Sequence, residues 1–390
     1  MTPTAGAVIV GSGVAGATAA QTLRAEGFAG PVTIVGGEPG LPYRRTALSK
    51  DLLGADLRPD RISLLKPAAW ADKEIEILGG TRVLDVDAPR RTVDLDDGTT
   101  LAYRVLVLAT GGQPIRPAWL EEDVLALRTV GDAERIRSAI NSSGALVVIG
   151  GGLIGLELAA SAAAAGHAVT VLEAADRVMN RVVPPEVSEF VESLHRDNGV
   201  DVRCGSRVVR AGADGVELED GSTVRGTVVA AVGMAPEVGL AAGVGVRVSD
   251  GGIVVDEALR TDVSGIYAAG DAVVVSDPLT GDPARCEHWF GALDQGAVVA
   301  RSIIADLAGE PAPVYAEVPR AWTVQYGVNV QIVGRPTAAG EVLVDGSLAE
   351  RSATVTVTGP GGLLGAVTVG RAAAARTLRA QIAAGLGSAV

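Results

Sequence analysis

Ala7-Val8-Ile9-Val10-Gly11-Ser12-Gly13-Val14-Ala15-Gly16 is the stretch that decides the fold. Its β-branched apolar run reads as a buried parallel strand. Gly11, Gly13 and Gly16 then follow in G-x-G-x-x-G spacing, and an alanine-rich segment from about Ala17 to Ala25 reads as a helix. In such a unit the first glycine makes the tight turn, the second lets the backbone approach a pyrophosphate, and the third lets helix and strand pack closely. The free N–H groups and positive dipole end of the helix then face the phosphates. A second apolar strand, Val32 to Val35, ends near Glu38, where a carboxylate can accept the hydroxyls of an adenosine ribose. Strand, glycine turn, helix, strand and acid together predict a dinucleotide site; glycines used only for packing are the competing explanation.

The same unit recurs. Ala145-Leu146-Val147-Val148-Ile149 is a buried run, and Gly150, Gly152 and Gly155 repeat the spacing, with Leu153 and Ile154 inside it. A helix continues through Glu157, and Val169-Thr170-Val171-Leu172 leads to Glu173. Two such units imply two dinucleotides or one duplicated domain. Glu173 favours a free 2′-hydroxyl over a 2′-phosphate, and Ala174 and Ala175 stand where an NADP site wants arginine, so NADH is expected ahead of NADPH. Arg177 is the nearby residue that works against this choice.

The chain has 390 residues, enough for two or three domains, and is 48% hydrophobic. A net charge of −13 argues against general nucleic-acid binding. No signal peptide or membrane-length apolar run is read, so a soluble cytoplasmic protein is expected. Cys204 and Cys286 form no C-x-x-C or C-x-x-x-x-C pair, which removes a redox disulfide. His167, His195 and His288 are in no metal-ligand spacing, so no metal is expected. Lys50, Lys66 and Lys73 are the only lysines, beside many arginines. Lys50 closes the turn-rich run Leu41–Lys50, whose Arg44, Arg45 and Lys50 either face an anionic cofactor or form a solvated basic loop.

Residues from about Ile75 to Leu108 alternate as antiparallel strands do, with a hairpin turn at Asp96-Asp97-Gly98. The strand Val105–Leu108 then ends in Ala109-Thr110-Gly111-Gly112, a turn that can close over a cofactor or mark a crossover. Gly233-Met234-Ala235-Pro236 is a second crossover signal. In Thr261 to Asp271 an apolar strand precedes Ala269-Gly270-Asp271, so Asp271 either presents a carboxylate to a polyol or caps the next element. Arg285–Trp289 is read as opening a helix that runs to about Leu307, with Trp289 in the core or against a cofactor and His288 structural rather than catalytic. From Val314 the texture turns to β, and Arg371 to Ala384 reads as a closing helix of a small α+β domain. That domain carries six arginines against four acids from Ala316 onward, a segregation that suits an acidic partner.

Taken together these motifs resemble the FAD-dependent, NADH-linked ferredoxin reductases of oxygenase and P450 systems, within the pyridine nucleotide-disulfide oxidoreductase superfamily but without its redox disulfide. Gly11–Gly16, Leu41–Lys50, Ala109–Gly111, Gly150–Glu157, Gly265–Asp271, Glu287-His288-Trp289 and Gln325-Tyr326-Gly327 carry the likeness. It implies an α/β fold with two Rossmann-like, glutathione reductase-like dinucleotide domains and a small C-terminal α+β domain. The implied limits are residues 1–115 and 245–315 for FAD, 116–244 for NAD and 316–390 for an interface domain. By resemblance Glu38 holds the FAD ribose, Arg45 contacts FAD, and Lys50 lies near the flavin paired with Glu157. Asp271 binds the ribityl chain and Trp289 lies against the isoalloxazine; Ser12, Ala15, Val83, Ala109, Thr110, Gly111, Glu287, His288 and Trp322 join the cofactor set. Gly150, Gly152, Leu153, Ile154, Gly155, Glu173 and Gly233 complete it on the nicotinamide side, and Lys50, Glu157 and Trp289 are the implied catalytic residues. The implied chemistry is hydride transfer from NADH to flavin N5, then single electrons to a ferredoxin-type iron–sulfur protein, by a monomer or homodimer.

Three departures from the family pattern stand out. Arg45-Thr46-Ala47-Leu48-Ser49-Lys50 lacks two prolines, which loosens the loop. Ala321 and Val324 replace an aromatic residue and an acid in the Ala321–Tyr326 run, and Glu237 replaces an asparagine after Pro236. The changes at Ala321 and Val324 keep two other functions open. One is direct reduction of a small molecule, quinone or oxygen; the other is a redox-sensing flavoprotein with little turnover.

Overall fold

A computed structural model describes residues 5–50, 52–54 and 56–386. The chain forms two compact units. One comprises the chain up to Arg44, Arg58–Gln113 and Ala235–Glu317; the other comprises Arg45–Leu57, Pro114–Met234 and the chain from Val318.

The first unit is built on a parallel sheet in the order Ile75–Gly79, Val32–Gly36, Gly6–Val10, Thr100–Leu108, with Ile266–Ala268 pairing beyond it. Gly6–Val10 and Val32–Gly36 are buried along their whole length, as a strand covered on both faces must be. The helix Val14–Ala25 starts directly at the glycine turn, three residues earlier than the alanine content suggests. Its Ala15, Ala17, Ala19 and Ala20 are buried, and the helix Trp289–Ala308 packs against it. A Cβ at Gly296 would stand well under 3.0 Å from the Ala15 carbonyl oxygen, so small residues set the spacing of these two helices.

Two expectations shift here. Ile75–Gly79 pairs in parallel with Val32–Gly36 instead of joining the antiparallel run, because alternation along a strand does not say which strand lies beside it. The hairpin is as expected: Thr92–Leu95 and Thr100–Leu108 pair antiparallel about Gly98. The helix after Arg285 begins only at Trp289, with His288 as its N-cap.

The second unit repeats the parallel architecture in the order Asp201–Arg203, Ala168–Leu172, Ala145–Ile149, Thr227–Ala230, Leu125–Ala126. Its C-terminal part is an antiparallel sheet: Arg320–Gln325, Val328–Gly334, Gly362–Val369, Ser352–Gly359 and Glu341–Ser347 in spatial order. The helix Ala372–Leu386 packs on that sheet. Among the described residues no helix is long and apolar enough to cross a membrane.

Candidate functional site

Parallel pairing lines up the strand ends. In the first unit Val35, Val10, Leu108 and Ala268 are successive cross-strand partners in one row. The chain leaves that row into the segments that hold Glu38, Gly11–Gly16, Ala109–Gly111 and Asp271. Loops beyond the carboxyl ends of parallel strands are where an open α/β sheet binds its ligands. Four stretches read separately in the sequence thus meet at one sheet edge.

The glycines fit a phosphate group in detail. Gly11 has φ +117°, and a Cβ there would overlap the Ala109 carbonyl. A Cβ at Gly16 would overlap the Gly11 carbonyl, so helix and strand are in direct backbone contact. Gly13 differs: no protein atom lies within 4 Å of where its Cβ would be. The helix it opens has no side-chain cap and no acidic residue in its first turn. By contrast, Val130–Ser143 carries a capping box from Thr129 and Asp132. A helix left uncapped over open space offers its free N–H groups to an anion.

Ser12 packs beside Gly36, and Ala15 lies under Gly270 and Gly296. The Tyr43 hydroxyl donates to Glu38 Oε2 at 2.6 Å and orients its carboxylate. Thr110 Oγ1 donates to the Glu237 carbonyl at 2.6 Å, and the Gly270 N–H donates to buried Gln295 Oε1 at 2.7 Å, pinning the turn before Asp271. Glu287 accepts from Arg285 at 2.9 Å, and Trp289 is the first residue of its helix. Val83 pairs with Leu95 at the start of the antiparallel extension, just after Thr81 and Arg82: the Thr81 N–H donates to the Gly36 carbonyl at 3.1 Å, and Arg82 packs beside Gly37 at the end of Val32–Gly36.

The second unit has the matching cradle. Arg203, Leu172, Ile149 and Ala230 are successive partners, and Glu173, Gly150 and the segment through Gly233 follow them. Gly150 has φ +111° and would meet the Ala231 carbonyl; Gly155 would meet the Gly150 carbonyl; Gly152 faces no atom within 4 Å. The helix Leu153–Ala164 is likewise uncapped by any side chain. Glu173 accepts the Gly151 N–H at 2.7 Å and the Ala175 N–H at 2.8 Å, which fixes its carboxylate beside the glycine turn. Ile154 is exposed in the first turn of that helix. Gly233, at φ +122°, takes the Ile115 N–H on its carbonyl at 3.0 Å.

One turn into the same helix stands Glu157, 3% exposed. Lys50 Nζ reaches its Oε1 at 2.6 Å, the Ser49 hydroxyl donates to Oε2, and the Thr323 hydroxyl donates to Oε1 at 2.7 Å. The Lys50 ammonium also donates to the Trp322 carbonyl at 3.3 Å and lies 4.6 Å from the Trp322 ring centroid. Arg45 donates to the Arg128 carbonyl at 2.8 Å. Sequence reading anticipated the pairing of Lys50 with Glu157 through resemblance; it missed Ser49, Thr323 and His195. The hint for Ser49 and Thr323 was their place beside Lys50 and Trp322.

Burial, with nearby carboxylates, pushes the Cys286 thiol up to about 12 and the Cys204 thiol up to about 11, and both are free.

Comparison with known proteins agrees with this geometry. The model of the pyridine nucleotide-disulphide oxidoreductase family matches residues 6–296, and that of the reductase C-terminal family matches residues 320–388. The chain is 38% identical to putidaredoxin reductase of Pseudomonas putida over 358 residues, 88% of this chain and 83% of the relative. It is 39% identical to the ferredoxin–NAD(+) reductase component of the anthranilate 1,2-dioxygenase system of Burkholderia cepacia, over 93% of this chain and 91% of the relative. The covalent putidaredoxin reductase–putidaredoxin complex superposes with a TM-score of 0.90 at 36% identity, covering 97% of this chain and 93% of that one.

Proposed function

The chain belongs to the pyridine nucleotide-disulphide oxidoreductase family, and on that premise we propose that it is an FAD-dependent NADH:ferredoxin reductase serving a P450 or Rieske-type oxygenase. The observation that carries the reading is the pair of uncapped glycine cradles, each with an acid at the next strand end. The chemistry supplied by bound FAD is acceptance of a hydride from NADH and release of single electrons to an iron–sulfur partner.

Each part of the chain has a task in that scheme. Gly11–Gly16 and the helix Val14–Ala25 hold the FAD pyrophosphate, with Glu38 on the ribose and Asp271 on the ribityl hydroxyls. Ser12, Ala15, Val83, Ala109, Thr110, Gly111, Glu287, His288, Trp289 and Trp322 shape the remaining cofactor surface, and Arg45 counters its charge. Gly150–Gly155, Glu173 and Gly233 hold NADH, with Glu173 selecting the free 2′-hydroxyl. Lys50, held by Glu157, supplies positive charge where negative charge develops in the hydride step. Alignment and electrostatics suffice; no side chain has to give or take a proton. The residues before 116 and from 245 to 315 form the FAD domain, 116–244 the NAD domain and 316–390 the domain that meets the ferredoxin. The protein works in the cytoplasm.

The test is anaerobic reduction of the FAD-loaded protein by NADH, followed by cytochrome c with a panel of ferredoxins. Cytochrome c reduction that requires a ferredoxin is the expected result. Rapid flavin reduction with no ferredoxin-dependent transfer would overturn the partner assignment and direct attention to Ala321 and Val324.

A further inference from the structure

Behind the Lys50–Glu157 pair lies a line of polar groups that the hydride chemistry does not itself require. The Thr323 hydroxyl, which donates to Glu157, accepts from Gln325 Nε2 at 3.1 Å. Gln325 Oε1 is 2.7 Å from His195 Nε2, and His195 Nδ1 is 3.2 Å from the Tyr326 hydroxyl. His195 and Thr323 are 0% exposed and Gln325 is 3% exposed.

One polarity satisfies every atom. With Gln325 Oε1 toward the histidine, Nε2 carries the proton and donates, and Nδ1 accepts from Tyr326. Gln325 Nε2 then donates to Thr323, whose own proton is left for Glu157. Reversing the amide would make Thr323 donate to Gln325 and turn an oxygen lone pair toward the Glu157 carboxylate at 2.7 Å. The carboxylate therefore dictates the direction of the whole line, from Tyr326 to Glu157. Burial holds the His195 imidazole down to about 4, which keeps it neutral, as this pattern requires.

A second feature points the same way. Tyr326 has φ +50° and Gly327 φ +76°, in the two-residue turn that joins Arg320–Gln325 to Val328–Gly334. Such a turn suits Asn-Gly, and a tyrosine in its first place is strained. The tyrosine is held by its hydroxyl on His195 and by an edge-on ring contact, with centroids 5.1 Å apart and planes at 74°. Strain retained where surrounding contacts over-determine a residue is a mark of a functional constraint. A buried polar line also adds little to stability that apolar packing would not provide.

We propose that Tyr326, His195, Gln325 and Thr323 are positioning residues: a one-directional hydrogen-bond relay that orients the Glu157 carboxylate and, through it, the Lys50 ammonium. No proton moves along it. Its effect on catalysis rests on the reading that Lys50 and Glu157 act in the hydride step, whereas its effect on Lys50 itself does not.

The chain has only three lysines, so acetylation of Lys50 in the folded protein can be followed by peptide mass spectrometry with Lys66 and Lys73 as internal references. Thr323→Val removes the last donor and keeps the shape; Thr323→Ser restores it; Tyr326→Phe removes the first donor. For Thr323→Val we expect Lys50 acetylation to rise several-fold relative to Lys66 and Lys73. Anaerobic flavin reduction by NADH should slow about tenfold, the scale of one hydrogen bond to a charged group. Thr323→Ser should restore both, and Tyr326→Phe should shift both in the same sense by a smaller factor. Unchanged Lys50 acetylation in Thr323→Val overturns the relay, whatever the turnover. Raised acetylation with unchanged reduction overturns its catalytic consequence. Lys50→Ala run in parallel separates the premise: reduction at the wild-type rate in that variant removes the pair from the hydride step and leaves acetylation to decide the relay.

Discussion

Gly152→Ala and Gly155→Ala are the same change three residues apart, yet they should fail in different ways. At Gly155 the new methyl would stand well under 3.0 Å from the Gly150 carbonyl oxygen, which is backbone and cannot rotate away. Overpacking of that kind costs about 1–3 kcal/mol. Alanine within a helix recovers about 1 kcal/mol over glycine. A clash with a backbone oxygen stands at the upper end of that cost, so strain wins by about 2 kcal/mol and the melting temperature should fall by roughly 4–8 °C for a unit of this size. At Gly152 no protein atom lies within 4 Å, and φ −81°, ψ −176° is open to alanine. That variant should melt close to wild type, since the swap at the N-cap costs no more than about 1 kcal/mol. Its methyl instead occupies the space through which a pyrophosphate reaches the helix N–H groups. Losing one such charge-assisted hydrogen bond weakens NAD+ roughly ten- to hundredfold. Differential scanning calorimetry and titration calorimetry with NAD+ separate the two effects, and FAD content should be unchanged in both because the first cradle is a separate structure. Wild-type NAD+ affinity in Gly152→Ala would refute the pyrophosphate site, and wild-type melting of Gly155→Ala would refute the close packing.

Glu173→Arg should exchange nucleotide preference, weakening NADH and improving NADPH by about tenfold each, since it replaces the carboxylate held beside the glycine turn, proposed to select a free 2′-hydroxyl, with a cation; kcat/KM with both nucleotides checks it. His195 is held neutral by burial down to about 4, so the unfolded chain binds its proton first as pH falls from 6.5. Stability from this site is complete above about 6.5 and declines toward pH 4 by roughly 3 kcal/mol; His195→Gln should flatten that part of a pH–denaturation curve, and an unchanged slope would contradict the burial argument. With thiols near 12 and 11, Cys286 and Cys204 should resist alkylation at neutral pH in the native protein, and a thiol oxidant should leave NADH-driven flavin reduction unaltered.

What the sequence determined alone was everything local. A strand, a glycine turn, a helix and an acid fall within some thirty residues, and each glycine's role follows from backbone geometry, so Gly11–Glu38 and Gly150–Glu173 were legible as cradles. Asp271 and Ala109–Gly111 were left with two readings each, because a short turn in sequence does not say what it faces. The parallel register brings both to one sheet edge: Val35, Val10, Leu108 and Ala268 stand in one row, and hydrogen bonding between strands far apart in the chain is what aligns their ends. Ile75–Gly79 was misplaced for the same reason, since side-chain alternation names a face and not a neighbour.

The charged site was the least legible. Lys50 meets Glu157 across 107 residues, Glu157 meets Thr323 across 166, and His195 meets Gln325 across 130. Nothing periodic links such positions. His195 lies near the end of an amphipathic helix, its only sequence reading is that the histidines share no metal-ligand spacing, and packing buries it completely. A buried polar group is costly without a partner, so once the fold brought these side chains out of water their hydrogen bonds had to be made with one another. The cradles are a property of short sequence; the relay behind Lys50 is a property of the packed chain.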